Sequence, residues 1–399
     1  MAEHALRLMH RQGRSLPDYG DTMRQGLGRG GYLQENLSTY VTDGLGGKVR
    51  WTNNSAGFRS DREFSEARPP GALRILSLGD SFTAGYRVGQ EETFSYLQEQ
   101  WLNQKGGRSE ILVAEIEDPV TALYYLDRFG IKFNPDMILL GITLGNDITQ
   151  SYWGLDPKGG FVLGLGKEVS IDINKKPEIG FRELLVYQIP PAYLVPRKEP
   201  GPVDRLGAWL KKRYLLRRFF QQHEPIISWA PRDPPSLFDL VNGFGVFTNP
   251  APPLIDEAYR RLFRVLTAFQ ILCQKRDILF AVQLFPQRYQ VQPDDWERAV
   301  SHYGLRSSRF DVMAPNKRIG DFCKEKGINC IDPTAAMAAD YARNGKSLYL
   351  PRGEMHWNRA GQRAFFQCSR EAFTALVQQG FQLAKARDAG SSPSKAISP

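Results

Sequence analysis

Apolar runs that match buried strands recur along the chain. The run LRILSLG at Leu73–Gly79 is nearly continuous and is bounded by turn residues. Such a run is typical of a strand that is buried on both faces in a parallel sheet. Four later runs have the same character, at residues 110–116, 137–145, 278–285 and 328–332.

Segments between these runs have helical periodicity. Asp118 followed by Pro119 matches the residues preferred at the cap and the first position of a helix, and Asn358 is a good cap for the last helix. The other predicted helices are residues 92–104, 259–275 and 318–326. The last helix is predicted to end before Gly380, because glycine is common just after a helix. Alternation of strands and helices predicts an α/β fold with a parallel sheet.

The pattern is interrupted at both ends and in the middle. Residues 1–70 are rich in glycine, asparagine, arginine and serine, and a central stretch with glycine and proline clusters is too long for a simple loop. We therefore predict an N-terminal arm, the first part of an α/β domain, an insertion, the second part of the domain and a disordered tail, at residues 1–70, 71–150, 151–250, 251–385 and 386–399. The insertion is expected to cover one end of the sheet as a lid.

Composition narrows the class of protein. The chain has 399 residues, 42% of them hydrophobic and 24% charged, which is ordinary for a soluble globular protein with a full core. The net charge of +9 is scattered, and the chain contains no recognisable nucleic-acid module, so no nucleic-acid partner is predicted. No apolar run is long enough for a membrane span or a signal peptide, which favours a cytoplasmic location.

One basic segment allows several interpretations. Residues 204–223 have the spacing of a basic amphipathic helix. Such a helix can contact an anionic membrane surface weakly or close over a substrate. More commonly, a helix of this kind packs on the core and leaves its charged face in water.

Four cysteines lie in the C-terminal part of the chain, and none has the C-x-x-C spacing of a zinc or redox site. Cys273, Cys323 and Cys368 fall within helical patterns, so we expect buried thiols.

The segment GDSFTAG, residues 79–85, follows directly on the first predicted strand. Ligands of α/β enzymes bind at the carboxyl ends of the strands. A serine in a strand-to-helix turn, here Ser81 beside Asp80, can present its hydroxyl together with backbone N–H groups, as a nucleophile and part of an oxyanion hole require. Taken alone, the segment is explained equally well by a serine that only caps a helix.

Two further motifs follow later strands. In LGND, Asn146 is flanked by Gly145 and Asp147, and its side-chain amide can donate to a developing oxyanion. The motif can also merely build a turn. In EMHWNRAG, His356 lies between the last predicted strand and a capped helix, and Glu354 can orient its imidazole. A lone histidine is more often structural, but three signals at three strand ends favour catalysis.

Together these residues resemble the SGNH/GDSL hydrolase family. The matches are Ser81 in GDSFTAG, Asn146 in GNDI and His356 in EMHWN, and NSAGFRSDREF at residues 54–64 extends the resemblance, which spans roughly residues 50–380. The resemblance implies a three-layer, flavodoxin-like α/β/α fold and acyl-ester chemistry without a metal or cofactor. It also implies Ser81 as nucleophile, His356 as general base, and an oxyanion hole formed by the Ser81 N–H and Asn146.

The chain departs from the family pattern at two places. The family usually has aspartate before the histidine, whereas this chain has Glu354, which keeps the charge but adds a methylene group. A glycine expected after the second strand is also missing, because the segment reads LVAEIEDPVTA. Only glycine adopts positive φ freely, and a carboxylate of Glu115 or Glu117 facing the hole would oppose a developing negative charge. A weakened or rearranged oxyanion hole is therefore expected.

Three functions are compatible with these residues. The first is a serine hydrolase that cleaves an O-acyl ester of a carbohydrate, lipid or other small molecule. The second is an O-acyltransferase on the same scaffold, in which a hydroxyl acceptor replaces water. The third is a catalytically weak ligand-binding protein, which the altered acid and the missing glycine favour and the retained Ser81, Asn146 and His356 oppose.

Overall fold

The computed structural model describes residues 34–104, 106–153, 244–351 and 354–388. Within them, two strands form an antiparallel hairpin and five form a parallel sheet. The strands are β1 (Ser38–Thr42), β2 (Lys48–Thr52), β3 (Leu73–Gly79), β4 (Ser109–Glu115), β5 (Met137–Thr143), β6 (Leu279–Phe285) and β7 (Asn329–Ile331).

Helices connect and cover these strands. In the described part of the chain they are α1 (Ser81–Ala84), α2 (Phe94–Gln104), α3 (Pro119–Arg128), α4 (Asp147–Trp153), α5 (Pro253–Gln274), α6 (Arg288–Val291), α7 (Pro293–Tyr303), α8 (Ala314–Lys326), α9 (Thr334–Asn344) and α10 (Arg359–Asp388). None of these helices combines the length and apolar character that crossing a bilayer requires.

The sheet has a flavodoxin-like strand order. Its sequence across the sheet is β4-β3-β5-β6-β7, and all neighbouring strands are parallel. From β3 the chain moves to one side to form β4 and then returns to the other side to form β5. In such folds the ligand binds outside the carboxyl ends of the strands where this reversal occurs. The ends of β3 and β5 therefore mark the expected site.

Alternating side chains of each strand face opposite layers. In β3, Ile75 joins a core with α2 and α10, whereas Leu76 joins a core with α3, α5 and α8. Both side chains are fully buried. The predicted three-layer α/β/α fold with a parallel sheet is thus confirmed, and the five predicted strands are the five strands of the sheet.

Two predicted caps are confirmed by their hydrogen bonds. Asp118 accepts from the N–H groups of Val120 and Thr121 at 2.9 and 3.0 Å, and Asn358 Oδ1 accepts from Gly361 N at 3.0 Å. The predicted end of the last helix is wrong, because α10 continues through Gly380 to Asp388. Tertiary packing overrides the glycine signal here, since Gly380 is buried against the sheet.

Several boundaries and elements differ from the sequence prediction. Helices α5 and α8 begin earlier than predicted, and each has a proline in its first turn, where the missing N–H costs no hydrogen bond. The predicted arm contains the β1–β2 hairpin, and α4, α6, α7 and α9 were not predicted. Residues 1–33, 154–243 and 389–399 lie outside the described residues. They include most of the predicted insertion, the predicted helix 204–223 and most of the tail.

The cysteines are free thiols. As predicted, Cys273, Cys323 and Cys368 are in helices, and Cys273 and Cys323 are buried. Cys368 is only partly buried, which differs from the expectation of a fully buried thiol.

Candidate active site

A tight turn places Ser81 at the carboxyl end of β3. Asp80 caps the short helix α1 by accepting from Phe82 N at 2.9 Å. Gly79 has φ of +152°, and an added Cβ would lie 2.3 Å from Thr83 Oγ1. Only glycine fits this close approach. The turn therefore fixes Ser81 directly after the carboxyl end of β3, where its side chain is partly exposed.

Ser81, His356 and Glu354 form one hydrogen-bonded chain. Ser81 Oγ lies 2.7 Å from His356 Nε2, although the two residues are 275 positions apart in the sequence. His356 Nδ1 lies 2.6 Å from Glu354 Oε1. The imidazole is thus placed between a hydroxyl and a carboxylate, which is the geometry of a nucleophile, a general base and an orienting acid.

The segment that carries His356 is held on both sides. Arg288 donates from Nη1 to the Glu354 carbonyl oxygen at 2.9 Å, and Leu350 N donates to the His356 carbonyl oxygen at 2.9 Å. The imidazole packs between the rings of Phe82 and Tyr86, with centroids 5.1 and 4.5 Å away. Only 15% of the His356 side chain is exposed, so packing restricts its orientation.

The environment of Glu354 favours its ionised form at neutral pH. Burial disfavours its charge, but the hydrogen bond and the charge of His356, with a smaller contribution from Arg87, lower the pKa of Glu354 to about 2. The added methylene of glutamate therefore does not prevent the contact with Nδ1. The carboxylate can hold the tautomer in which Nδ1 carries the proton and Nε2 faces Ser81.

A polar network joins the Ser81 turn to the end of β5. Asp80 Oδ1 accepts from Thr143 Oγ1 at 2.9 Å, and Asp80 Oδ2 lies 3.4 Å from Asn146 Nδ2. Thr143 N donates to Asp147 Oδ2 at 2.8 Å. The predicted residues Asp80, Asn146 and Asp147 therefore lie together beside Ser81.

The two aspartates of this network are fully buried. Burial raises the pKa of Asp80, although Phe82 N–H, the His356 charge and the Thr143 and Asn146 side chains oppose the rise. Burial and the charge of Asp80 raise the pKa of Asp147 well above its usual value. The shift of Asp147 follows because two carboxylates in one buried site repel each other.

Gly145 precedes Asn146 and lies against another side chain. A Cβ at this position would lie 2.3 Å from Gln287 Nε2. The absence of a side chain thus allows the Asn146 turn to approach the segment after β6.

The backbone after β4 offers a further donor near Ser81. Ile116 N donates to the Gly79 carbonyl oxygen at 2.7 Å, which places residues 116–117 beside the Ser81 turn. Within the part of the chain that the structure describes, the N–H groups of Ser81 and Glu117 have no hydrogen-bond acceptor. With the Asn146 amide, these two N–H groups are candidate oxyanion donors.

The missing glycine is explained by the local backbone. Among the described residues, the non-glycine residues with positive φ are Asn36, Arg87, Asn134 and Asp277. The segment 115–118 therefore does not adopt the left-handed conformation that would need glycine. Asp118 instead has an extended backbone and caps α3.

Glu115 carries little negative charge at neutral pH. Burial, reinforced by the charge of Glu117, raises the pKa of Glu115 to about 8. Its Oε2 atom is buried and has no hydrogen-bond partner among the described residues. In its protonated form, which the raised pKa favours, Glu115 does not oppose a developing oxyanion.

The raised pKa of Glu115 predicts a pH-dependent cost to folding. Between about pH 4.5 and pH 8 the unfolded chain loses this proton while the folded protein keeps it, so stability falls as the pH rises. Glu115→Gln removes the effect. From pH 4.5 to pH 8, we expect the free energy of unfolding of the variant to rise relative to that of the natural protein by about 2–4 kcal/mol, after a discount for partial exposure.

Urea unfolding of both proteins at pH 5 and pH 8.5 measures this difference. The values at pH 5 serve as the internal reference, since Glu115 is then neutral in the folded protein. A difference that stays constant between the two pH values would contradict the assignment.

Sequence reasoning missed three polar residues that organise the site. Thr143 bridges Asp80 and Asp147, Arg288 holds the Glu354 carbonyl, and Arg87 Nη2 lies 3.7 Å from Glu354 Oε2. No local signal distinguishes these arginines in a chain with 52 lysines and arginines. Their roles depend on contacts across the fold.

No group of three or more histidine, cysteine, aspartate or glutamate residues in the described ranges is arranged to hold a metal ion. A hydroxyl, an imidazole and a carboxylate in this order can transfer a proton from Ser81 while its oxygen attacks an electrophile.

Comparisons with known proteins give remote structural matches. No family model and no curated protein matches the sequence. An acetyl xylan esterase, AlAXEase, matches with a TM-score of 0.35 and 14% identity over 75% of this chain and 99% of that one. TesA matches with a TM-score of 0.33 and 10% identity over 76% of this chain and 99% of its own.

A third match is LAE5, an α/β hydrolase enzyme from the metagenome of Lake Arreo in Spain. It has a TM-score of 0.36 and 11% identity over 76% of this chain and 96% of that chain. At such TM-scores the activity has to be argued from the chain's own site.

Proposed function

We propose that the protein is a serine hydrolase of the SGNH/GDSL type that cleaves an O-acyl ester through an acyl-enzyme on Ser81. One observation carries the proposal: Ser81 Oγ, His356 and Glu354 are joined by contacts of 2.7 and 2.6 Å. The contacts lie at the strand ends where α/β folds bind ligands.

In the first half of the reaction, Ser81 Oγ attacks the ester carbonyl carbon while His356 Nε2 takes the hydroxyl proton. Glu354 stabilises the imidazolium through Nδ1–H. The carbonyl oxygen becomes an oxyanion, for which the Ser81 and Glu117 N–H groups and the Asn146 amide are the candidate donors. Collapse breaks the bond to the alkoxy group, which leaves as an alcohol with the proton from Nε2.

In the second half, water replaces the alcohol. His356 Nε2 takes a proton from water as its oxygen attacks the acyl-enzyme carbonyl. The bond to Ser81 Oγ then breaks, Ser81 recovers its proton from Nε2, and the free acid departs. No external oxidant, reductant or cofactor is needed for this cycle.

The resemblance to SGNH/GDSL hydrolases supports the same assignment. Ser81, Asn146 and His356, the family's motif residues in this chain, belong to elements that meet at one end of the sheet. The substrate proposed on this basis is an acyl ester of a small molecule, carbohydrate or lipid. A purely ligand-binding protein has no need for a base held on both ring nitrogens.

Labelling with a fluorophosphonate probe tests the proposal. The probe phosphonylates an activated serine, and peptide mapping by mass spectrometry should place the adduct on Ser81. Ser81→Ala should abolish labelling, whereas Ser65→Ala, which changes an exposed serine, should leave it intact. A folded protein that is neither labelled nor active on short-chain aryl esters would contradict the proposal.

Acceptor competition then separates hydrolysis from acyl transfer. A panel of alcohols is added to the aryl-ester reaction, and the free acid and the new ester are quantified. Release of free acid as the main product supports the hydrolase. Transfer to an alcohol in excess over hydrolysis would replace it with an acyltransferase that uses the same acyl-enzyme.

A further inference from the structure

Arg87 lies next to the acid of the candidate triad. Its Nη2 atom is 3.7 Å from Glu354 Oε2, while the other carboxylate oxygen, Oε1, contacts His356 Nδ1 at 2.6 Å. The two oxygens of Glu354 therefore face a cation and the imidazole separately. The Arg87 and Glu354 side chains are 18% and 27% exposed, so solvent screens this pair only in part.

The fold holds Arg87 in this position. Its backbone has φ of +64°, a conformation that costs energy for a residue with a side chain. The guanidinium carbon lies 4.8 Å from the centroid of the Tyr86 ring, and Tyr86 also packs against His356. The turn between β1 and β2 packs closely against the guanidinium, because a Cβ added to Gly44 would lie only 2.9 Å from Arg87 Nη1.

A glutamate has more need of such a partner than an aspartate. Its additional methylene adds a rotatable bond, so more side-chain freedom is lost when its carboxylate is fixed on Nδ1. A cation on the outer oxygen restricts this freedom and leaves the inner oxygen on the imidazole. Arg288 donates to the Glu354 backbone carbonyl oxygen, and this contact does not restrict the rotation of the carboxylate.

We propose that Arg87 is a positioning residue for the triad: it holds Glu354 Oε2 so that Oε1 stays on His356 Nδ1. The inference rests on the proposed serine-hydrolase function and deepens it. Arg87 does not touch the reacting atoms, and it acts only through Glu354.

The test is a double-mutant cycle measured as kcat/KM for an aryl ester. Arg87→Met should lower kcat/KM by about tenfold, because a misplaced orienting group costs rate. Arg87→Lys should recover most of the loss, since one cationic contact to one oxygen does not need a planar guanidinium. In a Glu354→Gln background, Arg87→Met should cause no further loss.

Arg359→Met is the matched control. Arg359 is exposed and pairs with Glu92 on the surface, only three positions after His356. This variant should keep kcat/KM within about twofold, as expected for a surface pair. Thermal melts of all variants show whether they fold.

An NMR measurement keeps the inference testable without turnover. The proton between His356 Nδ1 and Glu354 Oε1 should give a low-field resonance in the natural protein and in Arg87→Lys, assigned by its loss in His356→Gln. In Arg87→Met it should be broadened by exchange with water. Broadening without Ser81-dependent activity would support the Arg87 contact and reject the serine-hydrolase function.

Two results would overturn the inference. One is a folded Arg87→Met protein with an unchanged low-field resonance. The other is an equal loss of kcat/KM from Arg87→Met with and without Glu354, which would mean that Arg87 acts independently of the acid. In an active natural protein, either result leaves the serine-hydrolase function standing.

Discussion

Ser81→Ala is expected to lower kcat/KM for aryl esters by about 10⁴- to 10⁶-fold. The change removes the nucleophile whose Oγ lies 2.7 Å from His356 Nε2, while Asn146 and the backbone donors stay in place. Some activity above the uncatalysed rate should therefore remain, since an oxyanion hole and substrate binding act without the serine. Initial rates at saturating and limiting ester concentrations measure the loss.

The loss in Ser81→Ala should fall on kcat and leave ligand affinity nearly unchanged. Because the nucleophile acts only in the transition state, kcat should fall while the affinity for a non-reacting substrate analogue changes little. Ser65→Ala, at an exposed position, provides the matched control. A Ser81→Ala protein that retains more than about a tenth of the activity would show that hydrolysis does not proceed through this serine.

Glu354→Gln is expected to lower kcat/KM by about 10³- to 10⁴-fold. The amide is close in size to the carboxylate but carries no charge, so it neither stabilises the imidazolium nor favours the tautomer with the proton on Nδ1. The contact of 2.6 Å and a pKa of about 2 indicate a strong interaction between the two groups. The pH profile of kcat/KM, measured for both proteins, checks this effect.

Glu354→Asp is the matched comparison. It keeps the charge but withdraws the carboxylate by one methylene, and an error of about 1 Å in such a group costs about 10²-fold. The expected order of activity is therefore the natural protein, Glu354→Asp and Glu354→Gln. A Glu354→Gln enzyme with almost full activity would show that Ser81 and His356 catalyse the reaction without an orienting acid.

Local patterns in the sequence predicted much of the fold. Strands β3, β5 and β6 read as short, nearly continuous apolar runs because both of their faces are buried, and this property is visible within each segment alone. The caps Asp118 and Asn358 were equally predictable, since a cap acts within three residues. The candidate residues Ser81, Asn146 and His356 came from motifs at strand ends and from their resemblance to a family.

Other features were not predictable from local patterns. The passage of α10 through Gly380 depends on the sheet below it, and the β1–β2 hairpin lies in a segment with few apolar residues. The backbone conformation of the segment after β4, where the family pattern has a glycine, was not predictable either. The backbone there has no left-handed residue, and a sequence motif does not specify φ.

The sequence by itself determined the α/β class and the strands of the sheet, and its motifs supplied the candidate residues Ser81, Asn146 and His356. These properties reside in short segments, where burial and capping leave a periodic signal. Only the tertiary structure decided that Ser81 contacts His356, that Glu354 reaches Nδ1 with Arg87 near its other carboxylate oxygen, and that burial raises the pKa of Glu115. Each of these depends on the distance and solvent exclusion between groups that the folded chain brings together.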